Sequence, residues 1–304
     1  MIKEHHLKNY LWLEVTAPAP DEIGHLVSKY QLPRKIKNYM LDRHEQPRAT
    51  YDMIEHLGIL VLRCVSGPNG PQQSTTPLFL GFNKNLLVTV IHVHNQQRLF
   101  ANLPLNPQGQ IHELIFRIVS RTLEPYFVAL NDIIDRTDKL SNKQLRRITN
   151  ARLDELSLLK TRLIYLRSAT ASNLVALQEL QTIFRQRYQS DSDESKTIQQ
   201  ALNDTLVEFK QCQAMFDVVS EEVSEAENSF GNLLNNRLND TMKFLTVWSL
   251  LLAIPPIISG FYGENVSLPL AGRHWAWVDT LLMTAVLMLL MILIYVLHVY
   301  RRRK

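Results

Sequence analysis

The sequence predicts an α+β N-terminal domain, a long helical stalk and two C-terminal transmembrane helices. Three observations predict this fold class. Strand-like runs separated by Pro, Gly and Asn fill the first 110 residues. Pro and Gly are then nearly absent until Pro255, and two uncharged apolar segments lie in the last quarter of the chain. Because the remaining sequence is polar on average, most of the chain must fold in water.

Residues 1–110 form the predicted α/β domain. Three runs are rich in β-branched and aromatic side chains, as is typical of strands: 10–15, 58–65 and 86–94. Clusters of Pro, Gly and Asn between and after these runs indicate turns. No phosphate-binding glycine pattern accompanies them, so the domain is not predicted to bind nucleotides.

A helical arm over 111–192 and a stalk helix over 193–242 follow. Leucines step by three and four residues at Leu156, Leu159, Leu163 and Leu166, and a second apolar series runs from Phe216 to Leu233. The Ser- and Asp-rich stretch 190–195 suits a helix N-terminus. We expect two or three antiparallel helices and then one very long helix that begins near Asp193 and continues into the first apolar segment.

The two apolar segments have the length of membrane spans. Residues 244–263 and 280–300 contain no Asp, Glu, Lys or Arg, and about 20 apolar residues cross the hydrocarbon core as a helix. We therefore predict transmembrane helices at 243–262 and 279–300, joined by a loop at 263–278.

Charge predicts the orientation of these spans. The tail 301–304 is Arg-Arg-Arg-Lys, whereas the connecting loop carries a single arginine. The positive-inside rule places both termini and the tail in the cytoplasm and the loop outside. The N-terminus lacks an apolar core of signal-peptide length, so the expected location is the cell (inner or plasma) membrane.

Several functional classes receive no support from the residues. The basic tail supplies the whole net charge of +4, so no basic face for nucleic acid is predicted. Cys64 and Cys212 have no metal-ligand or redox spacing. No nucleotide, metalloprotease or catalytic-triad motif is apparent, so neither an enzyme nor a bound cofactor is predicted.

The segment 239–265 resembles the first membrane helix of the CorA family of divalent-cation transporters. The family pattern, Asn-x-x-Met-Lys-x-Leu-Thr at the entry and Tyr-Gly-x-Asn at the exit, is met by Asn239, Met242, Lys243, Leu245, Thr246, Tyr262, Gly263 and Asn265. Stretches 41–52 and 86–94 also resemble the family, and the order of domains matches it over the whole chain. Glu264 departs from the commonest pattern, which has methionine there.

This resemblance implies a homopentameric channel in the lipid bilayer. Five copies of Asn265 would meet the waters of an incoming ion, Gly263 would allow the loop its backbone conformation and close approach, and Tyr262 would support the loop. Glu264 would add one carboxylate per subunit at the outer mouth. The cargo would be hydrated Mg²⁺, with Co²⁺ or Ni²⁺ as further cargo.

Four residues at the start of the first span share one helix face, because they step by three and four: Asn239, Met242, Leu245 and Ser249. With the resemblance, Asn239 becomes an inner polar ring, and Met242 and Leu245 become apolar rings that gate by dewetting. Simple helix packing remains the alternative for Met242 and Leu245, and a cytoplasmic stalk contact for Asn239. The family also senses cytoplasmic Mg²⁺, for which the stalk offers four carboxylates: Asp204, Asp217, Glu221 and Glu222. For each of these carboxylates a solvated surface charge is the alternative.

Two alternative functions stay open. His92 and His94 lie two apart on a predicted strand, and with Glu264 they leave room for a zinc transporter of the same fold, although zinc sites need three or four ligands. A membrane-tethered coiled-coil scaffold or sensor without a pore is the second alternative. The polar residues Asn239 and Ser249 and the Tyr-Gly-Glu-Asn exit count against the scaffold.

Overall fold

A computed structural model of the full chain describes residues 1–66, 75–92, 99–141, 150–187, 193–264, 269 and 274–302. These residues form two compact units, Met1–Asn228 and Ser229–Lys304. The helix α6 (Asp193–Tyr262) begins in the first unit and ends in the second.

A six-stranded mixed sheet organises the first unit. Its strands are β1 (Ile2–His6), β2 (Leu11–Thr16), β3 (Arg48–Asp52), β4 (Leu57–Val65), β5 (Thr75–Phe82) and β6 (Leu86–Ile91). They lie in the order β1-β2-β6-β5-β4-β3. Only β2 and β6 run parallel to each other; the other neighbours are antiparallel. Strands β4, β5 and β6 are almost wholly buried, which explains their nearly continuous apolar sequences.

The helices α1 (Pro20–Lys29) and α2 (Arg34–Leu41) cover one face of this sheet. Alternate strand residues point toward them, as the two-residue period of a strand requires. The resulting core contains Leu13, Val15, Ile23, Leu26, Ile36, Met40, Ile59, Val61, Phe79, Val88 and Val90. The strand predicted at 86–94 ends at Ile91, and His94 lies outside the described residues. The predicted runs did not include β1, β3 and β5.

Three helices follow the sheet before α6: α3 (Ile111–Arg121), α4 (Glu124–Ser141) and α5 (Asn150–Arg187). The helix α7 (Ala276–Arg302) comes last. The expectation of a single helix from Asp193 to the end of the first apolar segment is confirmed by α6. The predicted fold class is likewise confirmed, with an α/β unit followed by long helices.

Helix α5 closes the β3 edge of the sheet with its side chains. Strand β3 is the last strand, and its pairing with β4 stops at Val61, so Arg63 has no strand partner on that side. The Asn173 side chain accepts from the Arg63 backbone N–H at 2.7 Å and donates to the Arg63 carbonyl at 2.8 Å. Glu179 accepts from the Ala49 N–H at 2.8 Å. The buried Tyr126 hydroxyl of α4 also donates to the Arg63 carbonyl, at 2.7 Å.

Helices α5 and α6 run antiparallel within the first unit. Polar pairs join them in opposite chain order: Lys160 with Glu227, Arg167 with Asp217, Thr170 with Gln213, and Gln181 with Asn203. The predicted leucine series of α5 is buried throughout. In α6, Phe216, Val219 and Val223 are buried as their spacing predicts, whereas Leu233 is 47% exposed.

Replacing Asn173 should destabilise the first unit. In Asn173→Ala the partly buried Arg63 N–H loses its acceptor and the carbonyl loses one of two donors. An unsatisfied buried polar group costs about 1–3 kcal/mol. We therefore expect the free energy of unfolding to fall by about 2–3 kcal/mol, and the Tm measured by circular dichroism to fall with it. Gln178→Ala, on the exposed side of α5, is the control. Equal Tm values for both variants would contradict this role.

The two cysteines should resist alkylation in the folded protein. Cys64 and Cys212 are 1% and 0% exposed, and burial raises the pKa of both thiols to about 12. At pH 8 both remain protonated, and the thiol reacts poorly. Mass spectrometry after iodoacetamide treatment should show no adduct until the chain is denatured, when both sites react. Rapid labelling of either cysteine before denaturation would show that its thiol is accessible in the folded protein, contrary to this prediction.

Candidate ion pathway

The second unit exposes an unusual amount of apolar surface. Both α6 and α7 contain a segment long and apolar enough to cross a membrane; of the 18 residues that define each segment, 11% are buried in α6 and none in α7. Large side chains such as Leu252 and Leu289 are 65% and 66% exposed. Since monomeric soluble proteins rarely expose such continuous apolar surface, these helices have the character of membrane spans.

The four predicted pore residues lie together on one exposed face of α6. At about 100° per residue, Asn239, Met242, Leu245 and Ser249 fall within an arc of about 120°, and all four are exposed. The side chains of Met242 and Leu245 are 65% and 57% exposed. By contrast, Leu251 and Ile258 are buried, 7% and 6% exposed, and lie on roughly the opposite face. The predicted residues therefore lie on the side of the helix away from Leu251 and Ile258. This uncovered face is part of a surface that also exposes Phe244 and Trp248 on other sides.

Thr246 belongs to the same face, although its place in the family motif predicted no part for it in the pathway. It follows Met242 by four residues and precedes Ser249 by three, so the same spacing could have identified it. Its side chain is exposed, and its hydroxyl donates to the Met242 carbonyl at 2.8 Å. The hydroxyl oxygen keeps lone pairs that a water molecule can use.

The end of α6 is closed by short backbone contacts around Gly263. Its N–H donates to the Ser259 carbonyl at 2.9 Å and the Gly260 carbonyl at 3.1 Å. A Cβ at this position would lie 3.2 Å and 3.4 Å from those two oxygens, and the φ angle is not in the left-handed region. The advantage of glycine here is therefore close approach; the expected need for a special backbone conformation is not seen.

Tyr262 and Glu264 flank this turn. The Tyr262 hydroxyl donates to the Pro269 carbonyl at 3.4 Å, a contact across the loop that agrees with a supporting position for its ring. Glu264 is exposed, with its N–H directed to the Phe261 carbonyl at 3.4 Å. Asn265, the residue predicted to meet the incoming ion, lies outside the described residues.

A charged pair marks the other end of the apolar segment. Lys243 donates to the Asp240 carboxylate at 3.0 Å, one turn apart on α6. Both side chains are more than half exposed, as is expected where a helix leaves water. The apolar stretch thus begins immediately after a locally neutralised ion pair.

The four carboxylates proposed for cytoplasmic sensing are not equivalent. Asp217 accepts from Arg167 at 2.5 Å and from Gln213 at 3.4 Å, so a cationic partner already occupies it. Asp204, Glu221 and Glu222 are exposed. Within the described ranges, no three His, Cys, Asp or Glu side chains lie close enough to hold a metal ion in one subunit.

His92 directly follows β6 and is partly buried. Burial lowers the pKa of its imidazole, and the nearby Arg43 lowers that pKa further. The neutral ring could bind a metal, but the second histidine of the predicted pair, His94, is outside the described residues.

Known proteins resemble the chain over most of its length. It is 23% identical over 297 residues to the cobalt/magnesium transport protein CorA of Methanocaldococcus jannaschii, covering 94% of this chain and 89% of that protein. The complete structure of the CorA magnesium transporter from the same organism superposes with a TM-score of 0.77 at 20% identity, covering 94% of this chain and 90% of that one.

A third similarity shows how widely this fold is used. The cytoplasmic domain of ZntB from Vibrio parahaemolyticus matches with a TM-score of 0.58 and 12% identity, over 76% of this chain and 90% of that domain. At this identity the likeness concerns the fold alone.

The family described as CorA-like Mg²⁺ transporter protein matches residues 8–301 of the chain. On this match over nearly its entire length, the chain belongs to the CorA family.

Proposed function

We propose that five copies of this chain form a channel through which hydrated Mg²⁺ enters the cell, with Co²⁺ or Ni²⁺ as further cargo. The observation that carries the proposal is the uncovered face of α6, where Asn239, Met242, Leu245 and Ser249 lead toward the Tyr-Gly-Glu-Asn exit. Membership of the CorA family supports transport over a membrane-tethered scaffold.

The chemistry of this face suits an ion that keeps its water. Mg²⁺ dehydrates reluctantly and usually retains several waters when bound. Amide and hydroxyl oxygens accept hydrogen bonds from those waters without holding the ion tightly. Asn265 at the mouth and Asn239 at the inner end would supply amide rings, while Met242 and Leu245 would supply an apolar constriction between water-filled regions.

The topology that we propose places residues 1–242 and the tail 301–304 in the cytoplasm. The loop 263–278 then faces outside, which agrees with the distribution of basic residues. A divalent ion gains about 4.6 kcal/mol per 100 mV of inside-negative potential, twice the value for a single charge. Entry then needs no nucleotide hydrolysis.

For regulation by cytoplasmic Mg²⁺, Asp204, Glu221 and Glu222 are better placed than Asp217. An ion at Asp217 would have to displace the Arg167 guanidinium, which already neutralises that carboxylate. The exposed carboxylates could instead share an ion with a neighbouring subunit, because no complete site exists within the described part of one chain.

Zinc transport is the second candidate. Glu264 favours it, because its exposed side chain would add a carboxylate ring at the outer mouth. A ring of carboxylates attracts any divalent cation more strongly than neutral amides do, and Zn²⁺ accepts Asp and Glu oxygens among its ligands. The fold shared with the ZntB domain is compatible with this candidate.

Flux into liposomes tests the proposed function directly. The purified full chain should admit Mg²⁺, reported by an internal dye, under an inside-negative potential. Removing the amide ring in Asn265→Ala should lower the flux by about tenfold, equivalent to about 1.4 kcal/mol. Gln178→Ala should retain full flux. Zn²⁺ entry coupled to pH without Mg²⁺ entry would favour the second candidate, and no divalent flux would refute transport.

The apolar constriction should control leakage. In Met242→Ser and Leu245→Ser a polar side chain replaces an apolar one on the uncovered face, so water should wet the constriction. We expect higher Mg²⁺ flux at zero imposed potential than in the wild type. Phe244→Ser, at an apolar residue that is 57% exposed and projects about 100° or more away from every residue of this face, is the control. Unchanged flux in both pore variants would exclude a dewetting gate here.

A further inference from the structure

Asparagine is concentrated in the two turns of α6 that precede the apolar segment. Asn232, Asn235, Asn236 and Asn239 lie within eight consecutive residues. Asparagine is a poor helix former, up to about 0.7 kcal/mol per residue less favourable than alanine. Helix stability therefore does not explain why this stretch is built from amides.

Three of these asparagines continue the uncovered face toward the N-terminus of the helix. Asn232, Asn235 and Asn239 step by three and four residues, and Met242 and Thr246 extend the same series. Asn236 lies at the margin of this face, about 100° from Asn235 but about 40° from Asn232 and about 60° from Asn239. All four asparagines are exposed, and their amides have no hydrogen-bond partner among the residues that the structure describes.

The face is also free of charge where the asparagines lie. Arg237 and Asp240 project about 160° and 100° away from Asn239 around the helix. Lys243, at the margin of the face, is drawn toward Asp240 by their 3.0 Å ion pair. From Asn232 to Ser249 the face thus presents amides, then apolar side chains, then hydroxyls.

We propose that Asn232 and Asn235, together with Asn239, form three successive amide rings that bind the hydration shell of a divalent cation at the cytoplasmic exit of the channel. This inference rests on the proposed function, because each ring needs one side chain from every copy of the chain. Asn232 and Asn235 lie outside both the family motif and the apolar span. The proposal gives both residues a part in ion passage.

The spacing and the chemistry of these rings fit an exit route. Steps of three and four residues separate the rings by about 4.5 and 6 Å along the helix, so an ion can be handed from one ring to the next. Amide oxygens accept hydrogen bonds from the waters of the ion. Carboxylates in the same places would hold a divalent ion longer, whereas conduction requires sites that are weak enough to leave.

Liposome flux with paired variants tests the inference. The double variant Asn232→Ala/Asn235→Ala should reduce Mg²⁺ flux by about fivefold, the size expected for loss of about one amide hydrogen bond. Thr241→Ala, which removes an exposed hydroxyl about 120–180° around the helix from the three asparagines, should retain wild-type flux. Because alanine favours the helix, the double variant should unfold at the same or a higher Tm, which separates lost conduction from lost folding.

A variant that adds a charge should change Mg²⁺ flux in a different way from the alanine variants. Asn235→Asp should make flux saturate at a lower Mg²⁺ concentration and reach a lower maximum, because a carboxylate ring retains the ion; Thr241→Asp, on the other side of the helix, should do neither. Wild-type flux in the double variant, or the same effect from both aspartate variants, would overturn the inference and leave the proposed function intact. No divalent flux through the wild type would refute the proposed function, and the inference with it.

Discussion

The first unit depends on how the open edge of its sheet is closed. A terminal strand carries backbone groups that need partners, and an uncovered edge invites pairing with other chains. Here the partners are side chains of α5: Asn173 bonds both backbone groups of Arg63, and Glu179 accepts from Ala49. The same helix then pairs antiparallel with α6 through polar contacts. One helix thus completes the sheet and also supports the beginning of the stalk.

The surroundings of helix α6 differ along its length. Up to Phe230 one stripe of its apolar side chains is buried by this chain, and Val207, Met215 and Val218 are exposed on other sides. From Leu238 onward most apolar side chains are exposed. The exposed part carries two kinds of surface: a face of amides, apolar residues and hydroxyls, and large apolar side chains elsewhere. The large apolar side chains suit contact with a lipid bilayer. The face of amides, apolar residues and hydroxyls suits water and ions. This division is expected when several copies of the chain enclose a pathway.

The sequence could predict the features that depend on local spacing. The start of α6 near Asp193 follows from residues that suit a helix N-terminus. The buried leucines of α5 and the common face of Asn239 and Met242 follow from helical periodicity. Pairings between distant segments could not be read in this way. Neither the closing of the β3 edge by Asn173 nor the ion pair that occupies Asp217 has a signature in the neighbouring residues, because each partner lies far away in the chain. Thr246 was identifiable from its spacing, but its motif position alone did not suggest a role.

The continuity of α6 from Asn239 to Tyr262 limits how this segment can change in evolution. Each residue turns the helix by about 100°, so a single insertion between Ser249 and Tyr262 would swing the outer turn around Gly263 away from the face that carries Asn239. Substitutions leave this alignment intact, whereas most insertions and deletions destroy it. Only length changes near seven or eleven residues, which restore the helical phase to within about 20°, would keep both ends facing the same side. Related chains should therefore vary in composition along this stretch much more than in length.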